Sequence, residues 1–199
     1  MKLLVATNNK GKLGELNSLL ADLPVDLLSL SDIGCTIEIE ETGATFAENA
    51  ALKAGGYARL AGIWTLADDS GLEVEALDNR PGVFSARYGG VDLGFDKKML
   101  MLLDELEKTG SKNRTARFVC AMAIADATGK IVHSGEGICN GKIAHQPRGN
   151  GGFGYDPLFI PDGFENTFGE LSNDVKQEIS HRFRAFCEII PFLRSFYAI

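Results

Sequence analysis

The sequence predicts an α/β protein built around a mixed β-sheet. In the first half of the chain, short apolar segments typical of strands alternate with segments whose leucines and alanines recur at helical spacing. In the second half, two long strand-like segments follow one another across a short turn, which is typical of a hairpin. No linker, repeat or low-complexity stretch interrupts the 199 residues, so we expect a single domain over residues 1–199.

The predicted elements follow from this periodicity. In order they are a strand at 2–6, a helix at 12–23, strands at 25–30 and 36–40, a helix from 46 to about 61, strands at 63–67 and 72–77, a helix at 95–106, strands at 116–125, 130–140 and 157–160, and a final helix over 179–196. Pro24 ends the first helix, and Thr45 with Glu48 forms a capping-box signature for the second. Residues 126–129 are a hairpin turn, and Pro191 should kink or restart the final helix.

The charge balance excludes some functions. Lys and Arg number 20 against 27 Asp and Glu, a net charge of −7, whereas general nucleic-acid binders and proteins of anionic membrane surfaces need a basic face. The first apolar run is too short for a signal peptide, and none approaches the ~20 residues of a membrane-spanning helix. The four cysteines have no paired spacing and are expected to be reduced. We therefore expect a cytoplasmic protein that binds neither nucleic acid nor membranes.

A polar segment, Thr7-Asn8-Asn9-Lys10-Gly11-Lys12, joins the first strand to the first helix. Such a turn directs free backbone N–H groups and the positive end of a helix toward one point, and two lysines and a hydroxyl there suit a polyphosphate. The segment lacks the Walker A pattern, so an ordinary polar turn is the alternative.

Paired acids follow two predicted strands, Glu40-Glu41 after one and Asp68-Asp69 after the other. Carboxylates at strand ends of an α/β sheet point into the crevice where ligands bind. They can hold Mg²⁺, and one can accept a proton from an attacking water. The alternative is a pair of solvated turns.

A glycine-rich segment spans residues 149–157 and contains a formal GxGxxG. It precedes a strand-like run instead of a helix, which excludes a dinucleotide fingerprint. Phe153 and Tyr155 within it are candidates for stacking on a base, with local packing as the alternative. Further along, Lys176, His181 and Arg182 offer donors that suit a keto purine and would reject adenine, unless they belong to an exposed helix face.

Taken together and in this order, these segments resemble the inosine triphosphate pyrophosphatase family, and its bacterial XTP/dITP diphosphatase branch most of all. The matching stretches are Ala6–Lys12, Glu40–Ala50 with Lys53-Ala54, Ala67–Leu72, Pro81–Tyr88, Gly151–Pro157 and Ile179–Arg182. One departure is Asn8, where many relatives carry glycine; it matters only if that position needs a positive φ.

The resemblance implies a two-lobed fold around a long mixed sheet, an active cleft between the lobes, a Mg²⁺ cofactor and a homodimer. Asp69 would be the general base, with Asp68 nearby, and Glu40 and Asp69 would hold the metal. The other residues implied to bind substrate are Thr7, Asn8, Asn9, Lys10, Gly11, Lys12 and Lys53 around the phosphates, Ser70, and Phe153, Gly154, Tyr155, Asp156, Lys176, His181 and Arg182 around the base.

The function implied is hydrolysis of ITP, dITP or XTP to the monophosphate and pyrophosphate. Two alternatives stay open. One is a Maf-like pyrophosphatase for pyrimidine or modified nucleotides, and the other is a non-catalytic nucleotide- or RNA-binding module.

Overall fold

The computed structural model describes residues 2–22 and 25–197, with the side chains of Phe196 and Tyr197 excepted. Leu23 and Pro24, where the first predicted helix ends, lie outside the described residues, as does the side chain of Phe196 in the final helix. Among the described residues, no helix combines the length and the apolar character needed to cross a membrane.

The described elements form a mixed sheet with flanking helices, as predicted. The strands are β1 (Lys2–Val5), β2 (Asp26–Ser29), β3 (Trp64–Val74), β4 (Arg80–Pro81), β5 (Thr115–Ala125), β6 (Ile131–Ile143) and β7 (Phe159–Pro161). The helices are α1 (Lys10–Leu20), α2 (Phe46–Ala61), α3 (Phe95–Lys108), α4 (Asn173–Ile179) and α5 (His181–Tyr197), with 3₁₀ turns at Glu75–Leu77, Gly82–Arg87 and Asp156–Leu158.

The sheet order is β2-β1-β3-β5-β6-β7, with β4 beside β3. β1 runs parallel to β2 and β3, whereas β4 is antiparallel to β3 and β7 to β6. The turn after β5 forms as predicted, with the Asp126 N–H donating to the Lys130 carbonyl.

The chain separates into two compact units. The first comprises Met1–Asp69, Cys120–Gly137 and Arg182–Ile199, and the second comprises Ser70–Val119 and Ile138–His181. Strands β3, β5 and β6 contribute residues to both. The expectation of a single domain over residues 1–199 stays a prediction.

In the first unit, alternate residues of the strands face an apolar cluster under α1 and α5. Its buried members are Leu3, Val5, Leu16, Leu20, Leu66, Cys120, Met122, Ile124, Ala185, Phe186, Ile189 and Leu193. Helix α2 packs through small residues such as Ala50, Ala54 and Ala58, which are fully buried. It begins at the predicted capping box, in which Thr45 Oγ1 accepts from the Glu48 N–H.

The second unit has its own core, formed by one end of β3, helix α3 and the aromatic residues around β7. Its buried members include Leu72, Val74, Met99, Leu102, Phe118, Tyr155, Leu158, Phe159 and Phe168. Since Phe118, Phe159 and Phe168 have ring centroids 4.6 to 6.2 Å apart, this core is largely aromatic.

Three predictions about the elements are wrong. Residues 36–40 form no strand, because Ile37 is exposed and Ile39 packs against Gly56 of α2. The two strands predicted at 63–67 and 72–77 are one strand, β3. The final helical segment breaks at Ser180, whose ψ of 156° is extended. Helix α5 does not restart at Pro191, and a kink there stays a prediction.

Candidate active site

Asp68 and Asp69 lie in the middle of β3 and not, as predicted, in a turn at the end of a strand. Successive side chains of a strand point to opposite faces of the sheet. Asp68 therefore faces α1 and α5, and Asp69 faces α2. This alternation gives two adjacent carboxylates different surroundings.

Asp68 is enclosed by cations. Its side chain is 0% exposed, and its Oδ2 atom lies 3.1 Å from Lys12 Nζ and 3.3 Å from Arg182 Nη2. Burial alone would raise the pKa of Asp68, but Lys12 and Arg182 outweigh burial and hold the pKa well below its usual range. Asp68 is thus a permanently charged group. Arg182 also donates to Glu15 of α1 through Nη1.

Asp69 lies in a different environment. Its Oδ2 accepts a hydrogen bond of 3.1 Å from Asn49 Nδ2, and its Oδ1 is 3.4 Å from Lys53 Nζ. Burial raises the pKa of Asp69 above its ordinary value, with Lys53 and Lys12 offsetting part of the effect and Glu41 adding to it. A carboxylate with a raised pKa is a better proton acceptor, which is what a general base needs.

Lys53 connects two acids in this cluster. Its Nζ atom is 2.9 Å from Glu41 Oε1 as well as 3.4 Å from Asp69 Oδ1. Burial alone would lower the pKa of Lys53, but Asp69, Asp68 and Glu41 together raise it, so the ammonium stays charged.

The predicted phosphate segment contains the start of α1. Asn9 is the N-cap, and its Oδ1 atom accepts from the backbone N–H groups of Gly11 and Lys12 at 3.0 and 3.1 Å. Thr7 Oγ1 accepts from the Asn9 N–H at 3.2 Å, and Lys10 is exposed. Asn8 does not have a positive φ, so the departure from glycine there is tolerated.

The carboxylates of the first unit suit Mg²⁺ by donor type. Among the described residues, no three His, Cys, Asp or Glu side chains converge as a preformed metal site. Glu41 and Asp69 nevertheless both contact Lys53 Nζ, so their carboxylates lie near one another. Two carboxylates are enough for Mg²⁺ in a phosphate site, because water and substrate oxygens supply its other ligands. Glu40, the predicted ligand, is exposed.

The second unit gathers the predicted base-binding residues Phe153, Asp156 and Lys176. Asp156 Oδ2 accepts from Lys176 Nζ and from the Phe153 N–H, each at 2.7 Å. Lys176 Nζ also lies 4.6 Å from the centroid of the Phe153 ring, within the range of a cation–π contact.

Two other predicted base-binding residues belong to the packed interior of this unit. Tyr155 is buried, and its hydroxyl donates to the Ser85 carbonyl at 3.0 Å while its ring packs edge-on against Phe95. His181 is buried too, with its ring stacked on Phe118 at 4.8 Å. Gly154, at a φ of +68°, lies next to Phe95. Ser70 is half-buried and directly follows Asp69 in β3.

The structure thus brings several of the predicted residues into two clusters and adds three residues whose contacts the sequence reasoning did not predict. Asn49 could have been found, since it is an amide on the buried, alanine-rich face of α2. Glu41 was predicted only as one of the paired acids that can hold Mg²⁺, and its contact with Lys53 was not predicted. Glu15 carries no signal in the sequence, because only the fold brings it to Arg182. The role of Arg182 at the purine edge stays a prediction, and its guanidinium contacts acids of the first unit.

The fold and these clusters define a class of protein, an α/β protein in which a buried aspartate, Asp69, contacts an asparagine and a lysine of one helix. The chain belongs to the Ham1 family, whose sequence model matches residues 3–192. It is 47% identical over 190 residues to a dITP/XTP pyrophosphatase of Nostoc sp., covering 95% of this chain and 92% of that protein. It is 46% identical to a dITP/XTP pyrophosphatase of Exiguobacterium sp., over 98% of this chain and all of that one. A solved HAM1 protein from Coxiella burnetii superposes with a TM-score of 0.90 at 36% identity, over 98% of this chain and 99% of the other.

Proposed function

We propose that this protein hydrolyses the non-standard purine nucleoside triphosphates ITP, dITP and XTP to the monophosphate and pyrophosphate. Its membership of the Ham1 family and the activity named for its relatives support this reaction. The structural observation that carries the proposal is Asp69, a buried carboxylate with a raised pKa beside the Lys53 ammonium. Hydrolysis needs a base of this kind, whereas binding alone does not.

In the proposed mechanism, Asp69 accepts the proton of the attacking water. Asn49 Nδ2 orients the carboxylate by donating to Oδ2, and Lys53 favours its charged form between turnovers. Lys10, Lys12 and the positive end of the α1 dipole stabilise the negative charge of the leaving pyrophosphate. Asp68, which also pairs with Arg182, holds Lys12 in place, so Lys12 need not be ordered by the substrate.

Magnesium is proposed as the cofactor, held by Asp69 and by a carboxylate of the Glu40-Glu41 pair. When bound, Mg²⁺ offsets phosphate charge and lowers the pKa of its water. Glu40 remains the predicted second ligand. Glu41 is an equally good candidate for that role, because its carboxylate contacts Lys53, as Asp69 does.

Recognition of the base is assigned to the second unit. Phe153 offers a ring for stacking, and Lys176 offers N–H donors to the keto oxygen of hypoxanthine or xanthine. Adenine carries an amino group at that position, so it would leave a buried donor unpaired.

The decisive experiment measures pyrophosphate release from dITP with and without Mg²⁺. We expect turnover only with Mg²⁺, loss of turnover in Asp69→Asn with dITP binding retained, and no change in Asp22→Asn, which alters an exposed acid of the same unit. An Asp69→Asn protein with normal turnover would disprove the base assignment. Absence of pyrophosphate from the unmodified protein would support a non-catalytic module.

A Maf-like activity is tested with the same assay and a panel of nucleotides. We expect dITP and XTP to be hydrolysed well ahead of dUTP, dTTP and dCTP. Preference for a pyrimidine would overturn the purine assignment.

We further propose a homodimer that works in the cytoplasm. Phe84, Val91 and Leu100 are exposed large apolar side chains of the second unit, and such residues are common in interfaces. All four cysteines are free thiols, which is in keeping with a reducing compartment. Light scattering after size-exclusion chromatography should give twice the mass of the 21.5 kDa chain.

A further inference from the structure

Asn49 makes two hydrogen bonds that join separate parts of the first unit. Its Nδ2 atom donates to Asp69 Oδ2 at 3.1 Å, and its Oδ1 atom accepts the Gly43 N–H at 2.8 Å. The residue is 0% exposed, so the amide is shielded from water. One side chain of α2 thus links β3 to the segment that directly follows the Glu40-Glu41 pair.

The chemistry of the two partners explains why an amide lies at this position. A backbone N–H can only donate and an ionised carboxylate can only accept, which fixes the orientation of the Asn49 side chain. An aspartate at position 49 would place an oxygen against Asp69, and an apolar residue would offer neither partner a hydrogen bond. Asparagine supplies one acceptor and one donor on a single short side chain, as the two partners require.

The segment after the paired acids lies too close to α2 for a side chain at position 43. A Cβ atom on Gly43 would be 2.6 Å from Glu48 Cβ and 2.7 Å from Asn49 Oδ1. The next N–H along the chain, that of Ala44, donates to Glu48 Oε2 at 2.7 Å. The start of α2 therefore holds this segment at two consecutive N–H groups, and Asn49 extends that hold to Asp69.

We propose that Asn49 is a positioning residue that sets the separation between Asp69 and the Glu40-Glu41 pair, and thereby the affinity of these acids for a divalent cation. The inference rests on the proposed function, from which it takes the acids as Mg²⁺ ligands. Without Asn49, the ordering of two separate segments would accompany cation binding and would lower its affinity. Hydrogen-bonding partners of metal ligands typically contribute about 10- to 100-fold to metal affinity or activity.

Binding of Mn²⁺ to the protein without nucleotide, followed by the electron paramagnetic resonance signal of free Mn²⁺, tests this inference. Mn²⁺ is a suitable probe because it takes the same oxygen ligands as Mg²⁺. Asn49→Leu is close in size to asparagine and removes both hydrogen bonds without changing the net charge. We expect its Kd for Mn²⁺ to be raised about 10- to 100-fold. An unmodified protein that binds no Mn²⁺, or an unchanged Kd in the variant, would overturn the inference.

Two control variants separate positioning from a general loosening of the first unit. Asn17→Leu makes the same substitution at an exposed position of α1. Thr45→Ala removes the N-cap bond to the Glu48 N–H and so weakens the same helix that carries Asn49. We expect both controls to bind Mn²⁺ within about twofold of the unmodified protein. An equal loss of affinity in Thr45→Ala and Asn49→Leu would overturn the inference, because stability of α2 alone would then account for it.

Steady-state kinetics with dITP provide a second readout. Asn49→Leu should raise the Mg²⁺ concentration that gives half-maximal turnover about tenfold or more, while the KM for dITP at saturating Mg²⁺ changes much less. A lower kcat is expected as well, since Asn49 also bonds to the proposed base. A lower kcat with an unchanged dependence on Mg²⁺ would overturn the inference.

Asn49→Gln serves if the leucine variant does not fold. It keeps both groups of the amide but moves them by one methylene, and an unchanged Kd for Mn²⁺ in this folded variant would likewise overturn the inference. Failure of the proposed function gives a different result, because Mn²⁺ binding does not depend on turnover. If the unmodified protein bound Mn²⁺ but released no pyrophosphate from dITP, the proposed function would fall and Asn49 would remain a positioning residue of a cation site.

Discussion

Replacing Asp68 with asparagine should destabilise the protein strongly, because Asp68 is a buried anion between the partly buried Lys12 and the buried Arg182. At 3.1 and 3.3 Å and an effective dielectric constant of about 20, Coulomb's law gives about 5 kcal/mol of attraction for each of the contacts to Lys12 and Arg182. Desolvation of the three groups offsets most of this attraction. Removing Asp68, however, takes this anion from Lys12 and leaves Arg182 with its contact to Glu15, which costs about 3–5 kcal/mol.

Urea and thermal denaturation measure this loss directly. For a chain of this size, the same loss corresponds to a Tm lower by about 6–20 °C. Asp104→Asn is the matched control: Asp104 pairs with Lys108, but these side chains are 60% and 71% exposed, so it should cost no more than about 0.5 kcal/mol.

Added pyrophosphate provides a second readout of the same change. The Asp68→Asn protein would lack the anion between Lys12 and Arg182, so pyrophosphate should raise its Tm more than it raises that of the unmodified protein. A loss of stability below about 1 kcal/mol, or an equal response of both proteins to pyrophosphate, would refute the reasoning.

Other expected outcomes concern the helix cap, the glycine loop and the thiols. Thr45→Ala removes the N-cap of α2 and should lower the free energy of unfolding by about 1 kcal/mol in urea denaturation; an unchanged midpoint would mean that the cap is not needed. Gly152→Ala would place a Cβ atom against the Asp156 carboxylate, so it should raise the KM for dITP with a smaller effect on kcat, and a normal KM would contradict the described loop. Burial raises the pKa of Cys120 to about 12, so iodoacetamide at pH 8 should label the exposed Cys187 far faster, as followed by mass spectrometry; equal rates would contradict the burial. Because the unfolded chain ionises this thiol first, the free energy of unfolding should fall as the pH rises above about 8.5, and fall less in Cys120→Ala.

Local signals in the sequence predicted those parts of the fold that local contacts determine. The capping box at Thr45 and the turn after β5 are examples, since each is satisfied by residues a few positions away. The prediction that a strand ends at Asp68 was wrong, because the contacts that determine the structure there are not local. Aspartates favour turns when their partners are local, but here the partners are Lys12 and Arg182, more than 50 residues distant in either direction.

The same difference between local and distant contacts applies to the candidate site. The motifs in the sequence predicted individual site residues, such as Lys12, Asp69, Phe153 and Lys176. They did not predict which of these residues contact one another. Pairing of Arg182 with acids depends on the approach of α1 to α5, which no spacing in the sequence encodes.

Because the two aspartates lie in a strand, the face to which each side chain points depends on whether its position along the strand is odd or even. Counting along β3, even-numbered positions such as 66 and 68 face α1 and α5, and position 69 faces α2. Thr65 is paired with β1, which fixes the register of β3 at that point. Deleting or inserting one residue between Thr65 and Asp68 would turn each of the two aspartates to the opposite face of the sheet. An insertion would place the first acid beside Asn49, and a deletion would place the second acid beside Lys12 and Arg182. The number of residues in this strand therefore determines the surroundings of each acid as much as the identity of the acids does.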